Sequence, residues 1–251
     1  MKSALCMVAV LVSAGCAAIG HREETDLDAV DRAVQTAAAG NSEKATKLAD
    51  AAVADCGSGR DGFDCALSTR VTLAQRFTAM EDDQLAVSQA RSAVALADEF
   101  GDASSQWPAL DLLSTTAALA HQLDEADAAH ARAEDTLSDL EQQASDEDSK
   151  SIELARGTLE GSRALIHLMK GNPAEAASSQ ARFIEALRAH QPNDPNLPEQ
   201  LLHLAALYEA AGDTSNAAKS LQSAATLATD LGNTEVEEQA RASLDELSES
   251  D

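Results

Sequence analysis

The sequence predicts an all-α fold of stacked helical hairpins, and three observations carry that prediction. About a fifth of the 251 residues are alanine while only 2% are aromatic, so the core must close by near approach of backbones rather than by bulky side chains, and alanine is also the strongest helix former. Glycine and proline number only 12 and 5, and no segment reads as a strand. Finally, Ala45, Ala86, Ala126, Ala176 and Ala217 stand 41, 40, 50 and 41 residues apart, the mark of a repeated supersecondary unit.

The elements follow in order. The opening stretch MKSALCMVAVLVSAGCAAIG places Lys2 before an apolar run from Ala4 to Val12. That run is too short to span a bilayer as a mature helix and reads as the core of a signal peptide. Beyond it, first helices of hairpins are expected at 26–39, 64–80, 104–121, 149–170 and 197–211, and second helices at 42–55, 84–99, 124–142, 173–190 and 214–230. Small or tight positions repeat in the first helices at Ala33, Ala74, Ser114, Ala164 and Ala205, and in the second helices at Ala52, Ala93, Ala133, Phe183 and Ala224. The break within each hairpin falls at Gly40-Asn41, Glu81-Asp82, His121-Gln122, Gly171-Asn172 and Gly212-Asp213.

Trp107-Pro108 is expected to open the third hairpin, proline being favoured in a first turn, with the tryptophan either a wedge between units or an exposed anchor. The acidic stretch LEQQASDEDSKS accounts for the one 50-residue interval by lengthening a connection or its flanking helices, and the prolines of HQPNDPNLPEQ interrupt helix. A last helix at 234–248 is read with a Thr234–Glu237 capping box and an apolar side of Val236, Ala240, Leu244 and Leu247.

The segment Leu201 to Ala228, LLHLAALYEAAGDTSNAAKSLQSAATLA, carries Leu204-Ala205, Tyr208, Gly212-Asp213, Ala217, Leu221 and Ala224 in an order that resembles the tetratricopeptide repeat (TPR). The resemblance implies a right-handed α-solenoid of about five TPR-like hairpins with a C-terminal capping helix. It also implies a concave face that holds a protein or peptide, with Val71, Gln75, Asp111, Thr115, Leu165, Met169, Leu202 and Glu209 as the groove positions. The first and fourth units depart from the pattern, carrying Arg32 and Arg163 where the others have Leu73, Leu113 and Leu204.

Ser13-Ala14-Gly15-Cys16 resembles the lipobox of bacterial lipoproteins, although Ser13 stands where that family prefers leucine. The resemblance implies cleavage after residue 15, lipidation of Cys16, and sorting to the outer membrane because Ala17 rather than aspartate follows. The chain then divides into a signal peptide (1–15), a lipidated tether (16–25) and a TPR-like domain (26–251), exported and facing the periplasm. With Cys6 removed and Cys16 acylated, Cys56 and Cys65 remain as a disulfide pair in an oxidising compartment. The glycines between them, Gly57, Gly59 and Gly62, match a dinucleotide-binding fingerprint but lack its strand-turn-helix setting, so they are read as a turn closing over the bridge.

A formal net charge of −25 repels phosphate backbones and anionic lipid surfaces, which removes nucleic acid as a partner. His121, His130, His167, His190 and His203 fall at spacings that make no metal pair on one helix face. No catalytic set, cofactor or small-molecule substrate is expected. The partner is expected to be a protein or peptide of the cell envelope, reached from a lipid anchor. The alternative is an accessory subunit of an outer-membrane or pilus assembly machine, acting through its caps or edges.

Overall fold

The computed structural model describes residues 27–100 and 103–249. The expected signal peptide and tether, Cys16 included, lie outside them. The described residues form eleven helices: α1 (Leu27–Ala38), α2 (Ser42–Ala54), α3 (Gly59–Ala79), α4 (Asp83–Phe100), α5 (Ala103–Leu119), α6 (Leu123–Gln143), α7 (Asp146–Met169), α8 (Pro173–His190), α9 (Leu197–Ala210), α10 (Thr214–Leu231) and α11 (Thr234–Glu249). They pair as five antiparallel hairpins followed by a single helix. The chain divides into two compact units, one ending at Gln143 and the other beginning at Ala144. Unit 1 holds the hairpins α1–α2, α3–α4 and α5–α6. Unit 2 holds α7–α8, α9–α10 and the final helix α11, which packs on α10.

All fifteen repeat positions read from the sequence are buried. The first-helix set runs from 0% exposure at Ala33, Ala74, Ser114 and Ala205 to 2% at Ala164, and the second-helix sets from 0% to 7%, Phe183 included at 1%. At fourteen of these positions a methyl or hydroxymethyl group lets neighbouring helices approach closely, and Phe183 alone fills its position with a ring. The two arginines that break the leucine pattern are accessible: Arg32 is exposed, and half-buried Arg163 pairs with Glu160 at 3.6 Å.

One backbone device closes every hairpin. At the first break Gly40 N–H donates to Ala37 C=O (2.7 Å) and Asn41 N–H to Thr36 C=O (3.2 Å), and the same pair of bonds recurs at 81–82, 121–122, 171–172 and 212–213. This is the Schellman arrangement, which needs one left-handed residue after the helix. That residue is Gly40 (φ 78°), Gly171 (φ 79°) and Gly212 (φ 77°) in three hairpins, but Glu81 (φ 61°) and His121 (φ 57°) in the other two. The residue that follows opens the next helix: Asn41 Oδ1 accepts from Lys44 N–H, Asp82 Oδ1 from Leu85 N–H, and Asp213 Oδ1 from Asn216 N–H.

Three local expectations are corrected. The stretch between the cysteines is not a free turn: α3 begins at Gly59, so Gly59 to Cys65 already belongs to the helix. The first helix of the third hairpin starts at Ala103, one residue from the expected 104, which leaves Pro108 inside α5 rather than in its first turn. The N-cap of α11 is Asn233, whose Oδ1 accepts from Val236 N–H at 3.2 Å, so Thr234 is the first helical residue and not a capping-box serine equivalent. The acidic stretch 140–151 resolves into helix almost entirely, with Ala144 and Ser145 alone between α6 and α7. There Ser145 N–H and Oγ–H both donate to Asp148 Oδ2, at 3.2 and 2.7 Å, which holds that carboxyl below its usual range.

Candidate functional site

The eight groove positions divide by exposure. Val71, Asp111, Thr115, Leu165 and Leu202 are buried at 6, 6, 3, 1 and 8% exposure. Gln75 and Met169 are half-buried, and Glu209 is exposed. The burial is concentrated in α5, where every residue from Trp107 to Ala118 is buried, as expected of a helix with apolar groups on all sides. Its polar members turn inward on their own backbone: Ser114 Oγ–H donates to Asp111 C=O, and the hydroxyls of Thr115 and Thr116 donate to Leu112 C=O. Trp107, at 7% exposure, is a packed side chain and not an exposed anchor.

An accessible concavity lies elsewhere in unit 1, at the edge formed by the hairpin turns. A cleft of about 480 Å³ is bounded by Ala37 and Ala38 at the end of α1, by Met80 to Gln84 across the second turn, and by Ala120 and His121 at the third. Both non-glycine left-handed residues among the described ones therefore open onto one cleft. An L residue there costs on the order of 1 kcal/mol more than glycine. Glu81, Asp82 and Asp83 bring three carboxyl groups and Gln84 an amide, so the lining accepts hydrogen bonds and favours a cationic group. Burial raises the Asp83 carboxyl above its usual range, His121 opposes that rise, and Asp82 and Glu81 add to it. The sequence shows Glu81 and His121 aligned with glycines, a signal for left-handed backbone; that their turns meet at one cleft is a tertiary fact.

The Cys56–Cys65 bridge is formed, with an S–S length of 2.03 Å. It ties the second residue past the end of α2 to the second turn of α3. The glycines around it have separate reasons. Gly57 and Gly59 are both left-handed at φ 82°, and a Cβ on Gly62 would lie 2.7 Å from Gly57 C and 2.8 Å from Gly57 O. Only glycine lets the first turn of α3 pass that close to the chain before it. Next to this turn Phe63 stacks on Phe100 with centroids 4.0 Å apart, and Arg60 sits 5.1 Å above the Phe63 ring.

The histidines serve separate local environments. His121 is exposed, His130 is buried with Glu134 at 3.8 Å, and His190 faces Glu153 at 3.2 Å. Burial lowers the His203 imidazole to about 4, so it is neutral at ordinary pH. Among the described residues no three His, Cys, Asp or Glu side chains converge as a metal set, and no helix is long and apolar enough to cross a membrane.

No protein-family model matches the chain, and no curated protein matches its sequence. Among solved structures it is similar to a kinesin-light-chain-like protein of nearly identical TPR-like repeats from Podosopora anserina. A single-substitution form of that protein aligns at 17% identity and TM-score 0.53, over 85% of this chain and 100% of that one. Another structure of it aligns at 19% identity and TM-score 0.50, over 81% and 94%. At these identities the likeness establishes the fold: the chain is an all-α protein of TPR-like helical hairpins.

Proposed function

We propose that this chain is an exported, lipid-anchored scaffold of the bacterial cell envelope that binds a protein or peptide partner. The observation that supports it most is the repetition itself. Five hairpins close with the same Schellman turn and pack on the same alanines, and stacked helical hairpins of this kind characteristically present extended surfaces to other proteins. The address rests on the sequence: the short apolar run after Lys2 and the lipobox-like Ser13 to Cys16. Anchoring at Cys16 keeps the folded part within about 30 Å of the membrane surface, the reach of a tether of some nine residues. A net charge of −25 favours a basic partner surface.

A second reading places binding at an edge rather than in the groove, as an accessory subunit would use it. Five of the eight groove positions are buried, whereas the acidic cleft at the hairpin turns is open. One experiment addresses both readings: crosslinking in the host followed by identification of the captured chains, repeated with Glu209→Lys and with Glu81→Lys/Asp83→Lys. Loss of capture with the first supports the groove and with the second supports the edge; capture of no specific envelope protein by the unsubstituted chain refutes both. Mass measurement of the mature N-terminus checks the address, which fails if Cys16 carries no acyl chains.

A further inference from the structure

Hairpin α1–α2 is the weakest member of unit 1 by construction. Among its described side chains the buried ones are Val30 and the alanines 29, 33, 37, 45, 49 and 52, and a buried alanine contributes a single methyl group where leucine contributes an isobutyl. The large fully buried groups in that cluster, Leu73, Phe77 and Leu85, come from α3 and α4, while α1 and α2 add the half-buried Val34 and Leu48. Packing between α2 and α3 is the thinnest between consecutive helices of unit 1. A polar link from α2 to α3 runs from Arg70 Nη2 to Asp50 Oδ1 at 2.8 Å, and the Asp50 side chain is 57% exposed. An ion pair so open to water adds little. Against this stands the Cys56–Cys65 bridge, which ties the connection leaving α2 to the second turn of α3. Both cysteines are partly accessible rather than sealed in the core.

We propose that the Cys56–Cys65 bridge is a redox latch: when it is reduced by a dithiol, α1–α2 leaves the stack by local opening and uncovers the Leu73, Phe77 and Leu85 face. The exchange balances, since the dithiol gives up two electrons and two protons, becomes a disulfide itself, and leaves two thiols at Cys56 and Cys65. The latch rests on the bridge and the packing around it and does not depend on the function proposed above. Local opening of a thinly packed end unit is the kind of low-lying state that folded chains use for switching.

The test is backbone amide exchange in the full chain with and without dithiothreitol, reduction being verified by thiol labelling. Removing a bridge that closes a loop of about ten residues is expected to speed exchange across 27–54 by roughly 30- to 150-fold. Exchange in α5, α6 and unit 2 is expected to stay unchanged. The double variant Cys56→Ser/Cys65→Ser should show the fast pattern without reductant and no response to it. Unchanged exchange across 27–54 after verified reduction overturns the proposal. So does equal acceleration throughout unit 1, which would mean that the hairpin does not open by itself, or a bridge that the dithiol fails to reduce in the folded chain.

Discussion

Units 1 and 2 reach the same hairpin geometry with different chemistry. At the breaks within hairpins unit 2 uses glycine both times, Gly171 and Gly212, and repeats it at Gly232 before α11, whereas unit 1 uses glycine once, at Gly40, and forces Glu81 and His121 into that conformation. The links between hairpins differ as well. In unit 1 they are charged: Arg70 reaches Asp50, Arg91 grips Glu125 at 2.6 Å and also Gln122, and Arg132 reaches Asp98 at 3.0 Å. In unit 2 the link between hairpins α7–α8 and α9–α10 is a buried neutral pair, Gln180 Nε2–H to Gln200 Oε1 at 2.9 Å, and Arg182 binds Glu160 inside its own hairpin. Backbone geometry is thus the shared constraint, and side-chain chemistry at the joints is free to vary as long as buried polar groups find partners.

The comparison can be broken unit by unit, because the single Trp and single Tyr of the chain report separately: Trp107 from unit 1 and Tyr208 from unit 2. The largest effect is expected for Gly62→Ala, whose Cβ would press on backbone atoms at 2.7 and 2.8 Å. A loss of about 3 kcal/mol or more in the denaturant transition followed by Trp107 is expected. A Trp107 midpoint unchanged by the substitution would mean that the α3 turn does not need the close approach.

Acidification should instead weaken unit 2. His203 has its folded value lowered from 6.5 to about 4 by burial, so the unfolded chain binds the extra proton first. Stability is full above pH 6.5 and falls as pH drops toward 4, by up to about 3 kcal/mol. His203→Gln should flatten that part of the Tyr208-detected profile, and an identical slope in the variant would refute the assignment.

Gly157→Ala carries a smaller expected cost in unit 2. Its Cβ would meet Ala186 Cβ at 2.2 Å between α7 and α8, an overpacking worth about 1 to 2 kcal/mol. Adding Ala186→Gly should recover part of it, and no recovery would place the strain elsewhere. Opposite signs are expected at equivalent turn positions: Glu81→Gly should stabilise unit 1 by up to about 1 kcal/mol, while Gly212→Ala should destabilise unit 2 by a similar amount. Thermal midpoints of the two variants shifting in the same direction would contradict the shared turn geometry. The smallest effect belongs to Arg91→Ala, expected to cost about 0.2 to 1 kcal/mol at low salt and to become indistinguishable from the parent chain in 1 M salt.

The fold was largely legible because its devices are local or periodic. Alanine spacing located the helix contacts, and every one of the fifteen aligned positions is buried. Glycine followed by Asn or Asp located three of the five turns. The misplacement at the bridge has a local cause: Gly59 to Gly62 form helix despite two glycines because the bridge and the Phe63–Phe100 stack hold that turn. The accessible site was less legible. Val71, Asp111, Thr115, Leu165 and Leu202 occupy first-helix positions that the repeat pattern assigns to a groove, yet they are buried, since exposure depends on what lies across from a helix and not on its own period.

By itself, then, the sequence determined the helices, their pairing into hairpins, the buried alanines and the pairing of Cys56 with Cys65, because each depends on propensity, short-range geometry or counting within one stretch of chain. Only the tertiary structure decided that Glu81 and His121 take the glycine conformation and share an acidic cleft, that Gly62 is required by the chain beside it, and that α5 is enclosed. Those features arise where segments far apart in sequence meet, and the distance between their atoms is written in no single segment.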